Sequence, residues 1–78
     1  MTIKILGTGC PKCKTLESKV REVVAQHNIS CEVEKVTELS KIMNYGVMMT
    51  PALVINEQVK SMGDIPGETQ ILKWLQEA

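Results

Sequence analysis

The stretch GTGCPKC, residues 7–13, decides the fold, because it sets two cysteines between an extended segment and a helix. Before it, Ile3 and Ile5 alternate with polar neighbours, which is typical of a short strand. After it, mostly apolar residues recur at spacings of three and four, which is typical of one face of a helix. The residues of this face are Cys13, Leu16, Val20, Val23, Val24 and His27. The pattern predicts a strand that ends before Gly7 and a helix over residues 11–26.

The rest of the chain predicts three more strands and two more helices. They are a strand over residues 29–36, a short helix, strands over residues 52–55 and 58–62, and a helix over residues 68–76. Asn56 and Glu57 form the turn between the last two strands. A right-handed crossover makes the first two strands parallel, whereas the closing hairpin is antiparallel. The order β-α-β-α-β-β-α therefore predicts an α/β fold, a four-stranded mixed sheet flanked by three helices.

The short second helix has a start signal and a stop signal. Thr37 is the predicted N-cap, and Ser40 is a less favoured candidate for the same position. Gly46 ends the helix, since glycine is the usual residue just past a helix C-terminus. Its predicted buried stripe consists of Leu39, Ile42 and Met43.

Length and composition exclude several classes of protein. The 78 residues allow one domain, which we expect to span residues 1–78. Nine Lys and Arg residues balance nine Asp and Glu residues, so the chain lacks the positive excess that nucleic-acid binding needs. No apolar run approaches the roughly 20 residues of a membrane-spanning helix, and the first residues lack the apolar region of a signal peptide. We expect a cytoplasmic protein that binds neither nucleic acid nor membrane.

Three cysteines remain to be explained. Their odd number argues against a scaffold of several disulfides. Cys10 and Cys13 form a C-x-x-C pair, whose loop is too short to constrain the unfolded chain much. In a reducing compartment such a pair is more often catalytic or metal-binding. Cys31 falls on the predicted second strand, where we expect it to be a small buried apolar residue.

The position of the pair predicts different roles for its two thiols. Cys10 lies at the helix start, where unpaired backbone N–H groups and the positive end of the helix dipole favour a thiolate. Pro11 suits the first helical position, and the Lys12 cation would further stabilise the thiolate. Cys13 begins the apolar face, so we expect it to be more buried and less acidic. The pattern predicts Cys10 as the nucleophile and Cys13 as the resolving thiol of disulfide exchange.

The segment GTGCPKC, followed by an amphipathic helix and by Thr50-Pro51 at the start of a strand, resembles a known family. It is similar to the small thioredoxin-like redox-active disulfide proteins of bacteria and archaea, relatives of thioredoxin and glutaredoxin. The resemblance covers essentially the whole chain and implies a thioredoxin fold with dithiol–disulfide oxidoreductase activity. It also implies that Pro51 follows a cis peptide bond beside the cysteine pair. The backbone of Thr50 would then pair with an extended substrate segment.

The same resemblance bears on cofactors and partners. The two sulfurs of Cys10 and Cys13 carry the electrons, so neither an organic cofactor nor a metal is expected. The expected partners are protein or small-molecule disulfides and a cellular reductant, either an enzyme like thioredoxin reductase or a small thiol. We expect a monomer.

Departures from the larger relatives leave the substrate class and the reductant open. Thioredoxins carry an aromatic residue before the first cysteine and a buried acid in the preceding strand, where this chain has Gly9 and Lys4. Glutaredoxins follow the hairpin with a Gly-Gly-x-Asp stretch that helps to hold glutathione. Residues 62–64, Met-Gly-Asp, match that stretch only partly.

The alternative function is a soft-metal or metalloid binding module that uses Cys10 and Cys13. Copper and zinc chaperones of the βαββαβ type also place C-x-x-C after the first strand. Their fold needs a hairpin after the first helix and a terminal strand. This chain predicts a single strand after the first helix and a terminal helix, which favours redox chemistry.

Other conspicuous side chains have structural interpretations. We expect His27 to cap the first helix or to lie at the surface, and Tyr45 and Trp74 to fill the core or its edge. Met48 and Met49 precede Thr50-Pro51 in an extended segment, so their side chains point in opposite directions. Core filling is favoured for them over lining a groove beside Cys10.

Overall fold

The computed structural model describes residues 1–77, which form four strands and three helices. The elements are β1 (Thr2–Leu6), α1 (Pro11–Gln26), β2 (Glu32–Val36), α2 (Leu39–Asn44), β3 (Ala52–Ile55), β4 (Gln58–Met62) and α3 (Glu68–Glu77). The predicted order β-α-β-α-β-β-α is confirmed, and α1 has the predicted bounds. Within residues 1–77, no helix combines the length and the apolar character needed to cross a membrane.

The sheet has the strand order β2-β1-β3-β4, so β1 and β3 are its interior strands. β1 pairs with β2 in parallel, with Ile3 opposite Val33. It pairs with β3 in the antiparallel direction, with Ile5 opposite Leu53. β3 and β4 form the closing hairpin. The predicted four-stranded mixed sheet is confirmed, and the end of β1 leads directly into the cysteine segment.

Alternation along the strands divides the core between the two faces of the sheet. The larger cluster lies under α1 and α3 and contains Ile3, Ile5, Leu16, Val20, Val23, Leu53, Ile55, Ile71 and Leu75. The smaller cluster lies under α2 and contains Leu6, Ile42, Val47, Ala52 and Val54. Residues of β1 and of α1 belong to the same larger cluster, so packing holds α1 against β1.

The hairpin turn has the predicted two-residue form. Asn56 has φ 50° and Glu57 has φ 67°, which are the positive values that a type I′ turn requires at both central positions. Glu57 is an uncommon residue in this conformation. Its carboxylate accepts hydrogen bonds from Lys4 Nζ at 2.8 Å and from the Tyr45 hydroxyl at 2.9 Å. These contacts join the turn to β1 and to the end of α2.

The second strand is shorter than predicted, since it begins at Glu32 rather than at residue 29. The register explains the difference, because Glu32 lies opposite Thr2, the first residue of β1. Residues 29–31 have no β1 residue opposite them, so they lie outside the strand. Ile29 instead donates its N–H to Val24 O at 3.0 Å, which closes the end of α1 after Asn28 at φ 51°.

The predicted cap and buried stripe of α2 are largely wrong. Glu38, not Thr37 or Ser40, is the N-cap, and its side chain accepts no capping bond from the backbone. The helix has six residues, so it turns fewer than twice and directs little surface at the sheet. Ile42 is buried, whereas Leu39 and Met43 are exposed.

The two aromatic residues lie at the core edge, as the sequence predicts. Trp74 is partly buried against the larger cluster and Tyr45 against the smaller one. Met48 and Met49 contradict the core prediction, since 93% and 62% of their surfaces are exposed. Of the segment between α2 and β3, Val47 and Pro51 are the residues that reach the interior.

Candidate active site

Cys10 occupies the N-cap of α1 and turns its sulfur back onto the first turn of the helix. Its backbone is extended, with φ −67° and ψ 163°, and Pro11 follows in the first turn. The Cys10 sulfur accepts a hydrogen bond from the Cys13 backbone N–H at 3.3 Å. Gly9, at φ 91°, makes the sharp change of direction between β1 and this cap. The thiol therefore faces the backbone donors that the helix leaves unpaired.

Hydrogen bonds from the Cys13 thiol and from these backbone groups make Cys10 the more acidic thiol of the pair. Its pKa is lowered chiefly by the hydrogen bond from the Cys13 side chain and then by the backbone N–H of Cys13. The backbone N–H of Lys12 lowers it further. The contribution of Lys12 thus comes through its main chain, whereas the sequence suggested its ammonium group. The Lys12 side chain is exposed, and the first turn of α1 carries no acidic residue.

Cys13 is the buried member of the pair, with 6% of its surface exposed. Burial raises the pKa of its thiol, and the hydrogen bond to Cys10 raises it further. Its sulfur packs directly on Gly7: a Cβ atom placed on Gly7 would lie 2.3 Å from Cys13 Sγ. Two thiols one helical turn apart therefore have pKa values shifted in opposite directions.

Pro51 also lies next to Gly7. The position that a Gly7 Cβ would take is 4.0 Å from Pro51 Cα, so the proline and the Cys13 sulfur approach the same glycine. The Thr50–Pro51 peptide bond is cis. Pro51 is buried and accepts a hydrogen bond at its carbonyl from the Gly63 N–H at 2.8 Å. Thr50 is exposed.

Cys31 lies far from this pair. It precedes β2 beside Thr2, at the start of β1, whereas Cys10 follows the end of β1. Five strand residues separate the two ends, a length of about 16 Å. Cys31 is half-buried against the larger core cluster, and burial raises the pKa of its thiol. Its predicted structural role fits this packing, although its predicted place on the strand is wrong.

Other candidate groups also stand apart. His27 is exposed at the C-cap of α1, where its backbone N–H donates to Val23 O at 3.1 Å. Lys4 points to the α2 face of the sheet, away from α1, and its Nζ donates to the Tyr45 hydroxyl and to Glu57 at 2.8 Å each. These bonds raise the pKa of Lys4. Across residues 1–77, no group of three or more His, Cys, Asp and Glu side chains is arranged to hold a metal ion.

The sequence did not reveal two contacts of the site. One is the close approach of Cys13 to Gly7, and the other is the bond from Gly63 to the Pro51 carbonyl. Both depend on segments that meet only in the folded chain. The available signal was the presence of glycine at each position, directly after a strand.

A β-α-β-α-β-β-α sheet with C-x-x-C at the start of α1 defines a thioredoxin-like protein, and comparison with known proteins agrees. A family model described as a thioredoxin domain matches residues 1–76. A protein named thioredoxin from Methanothermobacter thermautotrophicus is 37% identical over 75 residues, which cover 96% of this chain and 97% of that protein. Another protein named thioredoxin, from Methanocaldococcus jannaschii, is 34% identical over 71 residues, which cover 91% of this chain and 81% of the relative. The chain belongs to the thioredoxin family, a family of thiol–disulfide oxidoreductases.

We predict that Gly7→Ala displaces the Cys13 sulfur, because the new Cβ would overlap it. Overpacking of this kind typically lowers the free energy of unfolding by about 1–3 kcal/mol. The variant should also close the Cys10–Cys13 disulfide more slowly. Urea denaturation and the rate of disulfide formation measure the two effects. Gly67→Ala is the matched control, since a Cβ there meets nothing within 4 Å; equal effects in both variants would contradict the assigned contact.

A second prediction concerns thiol acidity. Hydrogen bonds lower the pKa of Cys10, and burial raises that of Cys13. Cys10 should therefore react with iodoacetamide faster than Cys13 at pH values below about 8.5, the ordinary pKa of a free thiol. The measurement is labelling of the reduced protein from acid to alkaline pH, with the alkylated residue located by mass spectrometry. Faster labelling of Cys13 than of Cys10 in the acid range would reverse the assignment.

The third prediction is that Cys31→Ser still cycles between dithiol and disulfide. Its half-buried hydroxyl should reduce the free energy of unfolding by about 1–2 kcal/mol. Titration of the folded variant with oxidised and reduced dithiothreitol tests this, with the wild type as reference. A folded variant that no longer cycles would give Cys31 a chemical role.

Proposed function

We propose that the protein reduces or exchanges disulfides through Cys10 and Cys13, with Cys10 as the nucleophile and Cys13 as the resolving thiol. The observation that carries the proposal is the placement of the two thiols. Cys10, at the N-cap of α1, accepts a hydrogen bond from the Cys13 N–H at 3.3 Å, whereas Cys13 is buried. A lowered pKa increases the fraction of Cys10 that is thiolate, which is the form that attacks disulfides. A raised pKa makes Cys13 the less ionised thiol of the pair.

In the first step, the Cys10 thiolate attacks one sulfur of the substrate disulfide. The substrate S–S bond breaks, one substrate sulfur leaves as a thiolate and takes a proton, and a mixed disulfide joins Cys10 to the other. Pro11 supports this step by starting the helix directly after Cys10, which presents the backbone N–H of Lys12 and of Cys13 to the sulfur.

In the second step, Cys13 attacks the Cys10 sulfur and releases the remaining substrate thiol. Burial raises the pKa of Cys13 most, and the hydrogen bond and negative charge of Cys10 raise it further. A mixed disulfide removes the charge on Cys10, so that part of the shift ends when Cys13 must react. Two electrons and two protons pass to the substrate, and the short separation of the thiols favours intramolecular attack.

Thr50 and Pro51 are the proposed substrate platform. Thr50 is exposed, and Pro51 lies against Gly7 beside the Cys13 sulfur. An extended substrate segment that pairs with the Thr50 backbone would bring its disulfide to Cys10. The proposed substrates are protein or small-molecule disulfides, and the proposed reductant is an enzyme like thioredoxin reductase or a small thiol.

The proposed chemistry uses no organic cofactor and no metal, since the two sulfurs store the electrons. We also propose that the protein is a monomer of one domain and acts in the cytoplasm. The alternative, a soft-metal or metalloid binding module, is less favoured by the fold, because the copper and zinc chaperones with C-x-x-C need a hairpin after the first helix and a terminal strand. This chain has β2 alone between α1 and α2, and α3 follows its hairpin.

The decisive experiment traps the mixed disulfide. Cys13→Ser removes the resolving thiol and leaves the acidic one, so it should accumulate covalent adducts in extracts of the source cell. The adducts should be released by dithiothreitol and identified by mass spectrometry. Cys10→Ser is the matched control and should trap far fewer proteins, because its remaining thiol is buried.

The possible results separate the two functions. Equal trapping by both variants would contradict the roles assigned to the thiols. No trapping by either variant, together with stoichiometric metal in the wild type, would support the binding module.

A further inference from the structure

The protein keeps all five of its methionines at the surface. Their exposed fractions are 39% for Met1, 63% for Met43, 93% for Met48, 62% for Met49 and 45% for Met62. Methionine is normally among the more buried residues, and the core of this protein is built from Ile, Leu, Val and Ala. A flexible thioether at the surface suits contact with varied apolar partners.

Three of these methionines lie around Pro51. Met48 and Met49 precede it by three and two residues, which keeps their Cα atoms within about 11 Å of it. Met62 pairs with Ala52, the residue after Pro51. We call Met48, Met49 and Met62 the methionine surface. It is continuous with the proposed substrate platform at Thr50 and Pro51.

Met49 is also in contact with the backbone that holds Pro51. A Cβ atom placed on Gly63 would lie 3.0 Å from Met49 Cε and 3.5 Å from its Sδ, so the thioether covers this glycine. Gly63 in turn donates its N–H to the Pro51 carbonyl at 2.8 Å. A chemical change at the Met49 sulfur therefore alters the surroundings of Gly63, which is bonded to Pro51 of the platform.

We propose that Met48 and Met49 are an oxidation site that controls docking of protein substrates. The occupant of the methionine surface is the disulfide-bearing segment of a protein substrate, with apolar side chains beside its cysteine. Oxidation turns each apolar thioether into a polar sulfoxide and weakens that contact. The inference rests on the proposed function and adds a substrate class and a form of regulation to it.

The oxidation step balances with a peroxide as the oxidant. The peroxide O–O bond breaks, one oxygen forms the S=O bond, and the other leaves as water or an alcohol. The thioether loses two electrons and the peroxide gains them. Reversal needs a methionine sulfoxide reductase, which returns the two electrons from a dithiol.

The experiment must separate methionine oxidation from cysteine oxidation. The protein is prepared with Cys31→Ser and with the Cys10–Cys13 disulfide closed, so no thiol is free during treatment with hydrogen peroxide. Dithiothreitol then restores the dithiol but leaves the sulfoxides, which mass spectrometry locates. Two rates are measured: reduction of insulin, a protein disulfide, and reduction of 5,5′-dithiobis(2-nitrobenzoic acid), a small disulfide.

Oxidation should slow the reduction of insulin about tenfold, because sulfoxides disrupt an apolar contact. The rate with the small disulfide should stay unchanged, since that reagent needs only the cysteine pair. Treatment with methionine sulfoxide reductases should restore the rate with insulin.

Matched variants locate the effect, and each is compared with its own untreated form. The double variant Met48→Leu/Met49→Leu keeps apolar side chains of similar size and should lose its sensitivity to peroxide. Met43→Leu, on α2, should keep it.

Several results would overturn the proposal. One is an unchanged rate of insulin reduction by protein that carries both sulfoxides, and another is resistance of Met48 and Met49 to peroxide. A third is an equal loss of the insulin rate in the peroxide-treated double variant. A fourth is an equal loss of the rate with the small disulfide. Untreated protein that reduces neither disulfide would instead refute the proposed function, and the inference with it.

Discussion

The contact between Cys13 Sγ and Gly7 is the constraint on which the site depends. Gly7 follows β1 and donates its N–H to Val36 O at 2.9 Å, so it is fixed to the sheet. Because it has no side chain, the Cys13 sulfur and Pro51 can both approach it. The end of β1, the first turn of α1 and the start of β3 therefore meet at one residue, and the position of Cys10 follows from that of Cys13.

The chemical asymmetry of the pair follows from where a helix places its first residues. Cys10, at the N-cap, meets backbone donors, whereas Cys13, three residues later, faces the core. The same hydrogen bond lowers the pKa of one thiol and raises that of the other. Neither shift needs an acidic or basic residue outside the pair, so a chain with Lys4 in place of the buried acid of larger relatives can still differentiate its thiols. Lys4 instead joins the hairpin turn to α2.

Local patterns sufficed to predict most of the fold and the cysteine pair. α1 could be predicted to the residue, because Pro11 marks its start and an apolar face continues through Val23. The start of β2 could not, since it depends on where β1 begins. Thr37 failed as a cap and Met43 as a core residue because six residues are too few for a reliable period. The exposure of Met48 could not be predicted either. The sequence shows that the residue is apolar, but the surrounding elements decide whether its side chain is covered.

The unequal division of the core has a consequence for internal motion. α2 is anchored to the sheet by Ile42 as its one buried residue, whereas α1 is held by four. Segments with few buried contacts open locally at a small fraction of the global unfolding free energy. Amide hydrogens of α2 should therefore exchange with solvent faster than those of β1 and α1. Between this helix and Pro51, Val47 is buried, whereas Met48, Met49 and Thr50 are exposed. This side of the site can therefore adapt while the two thiols keep their positions.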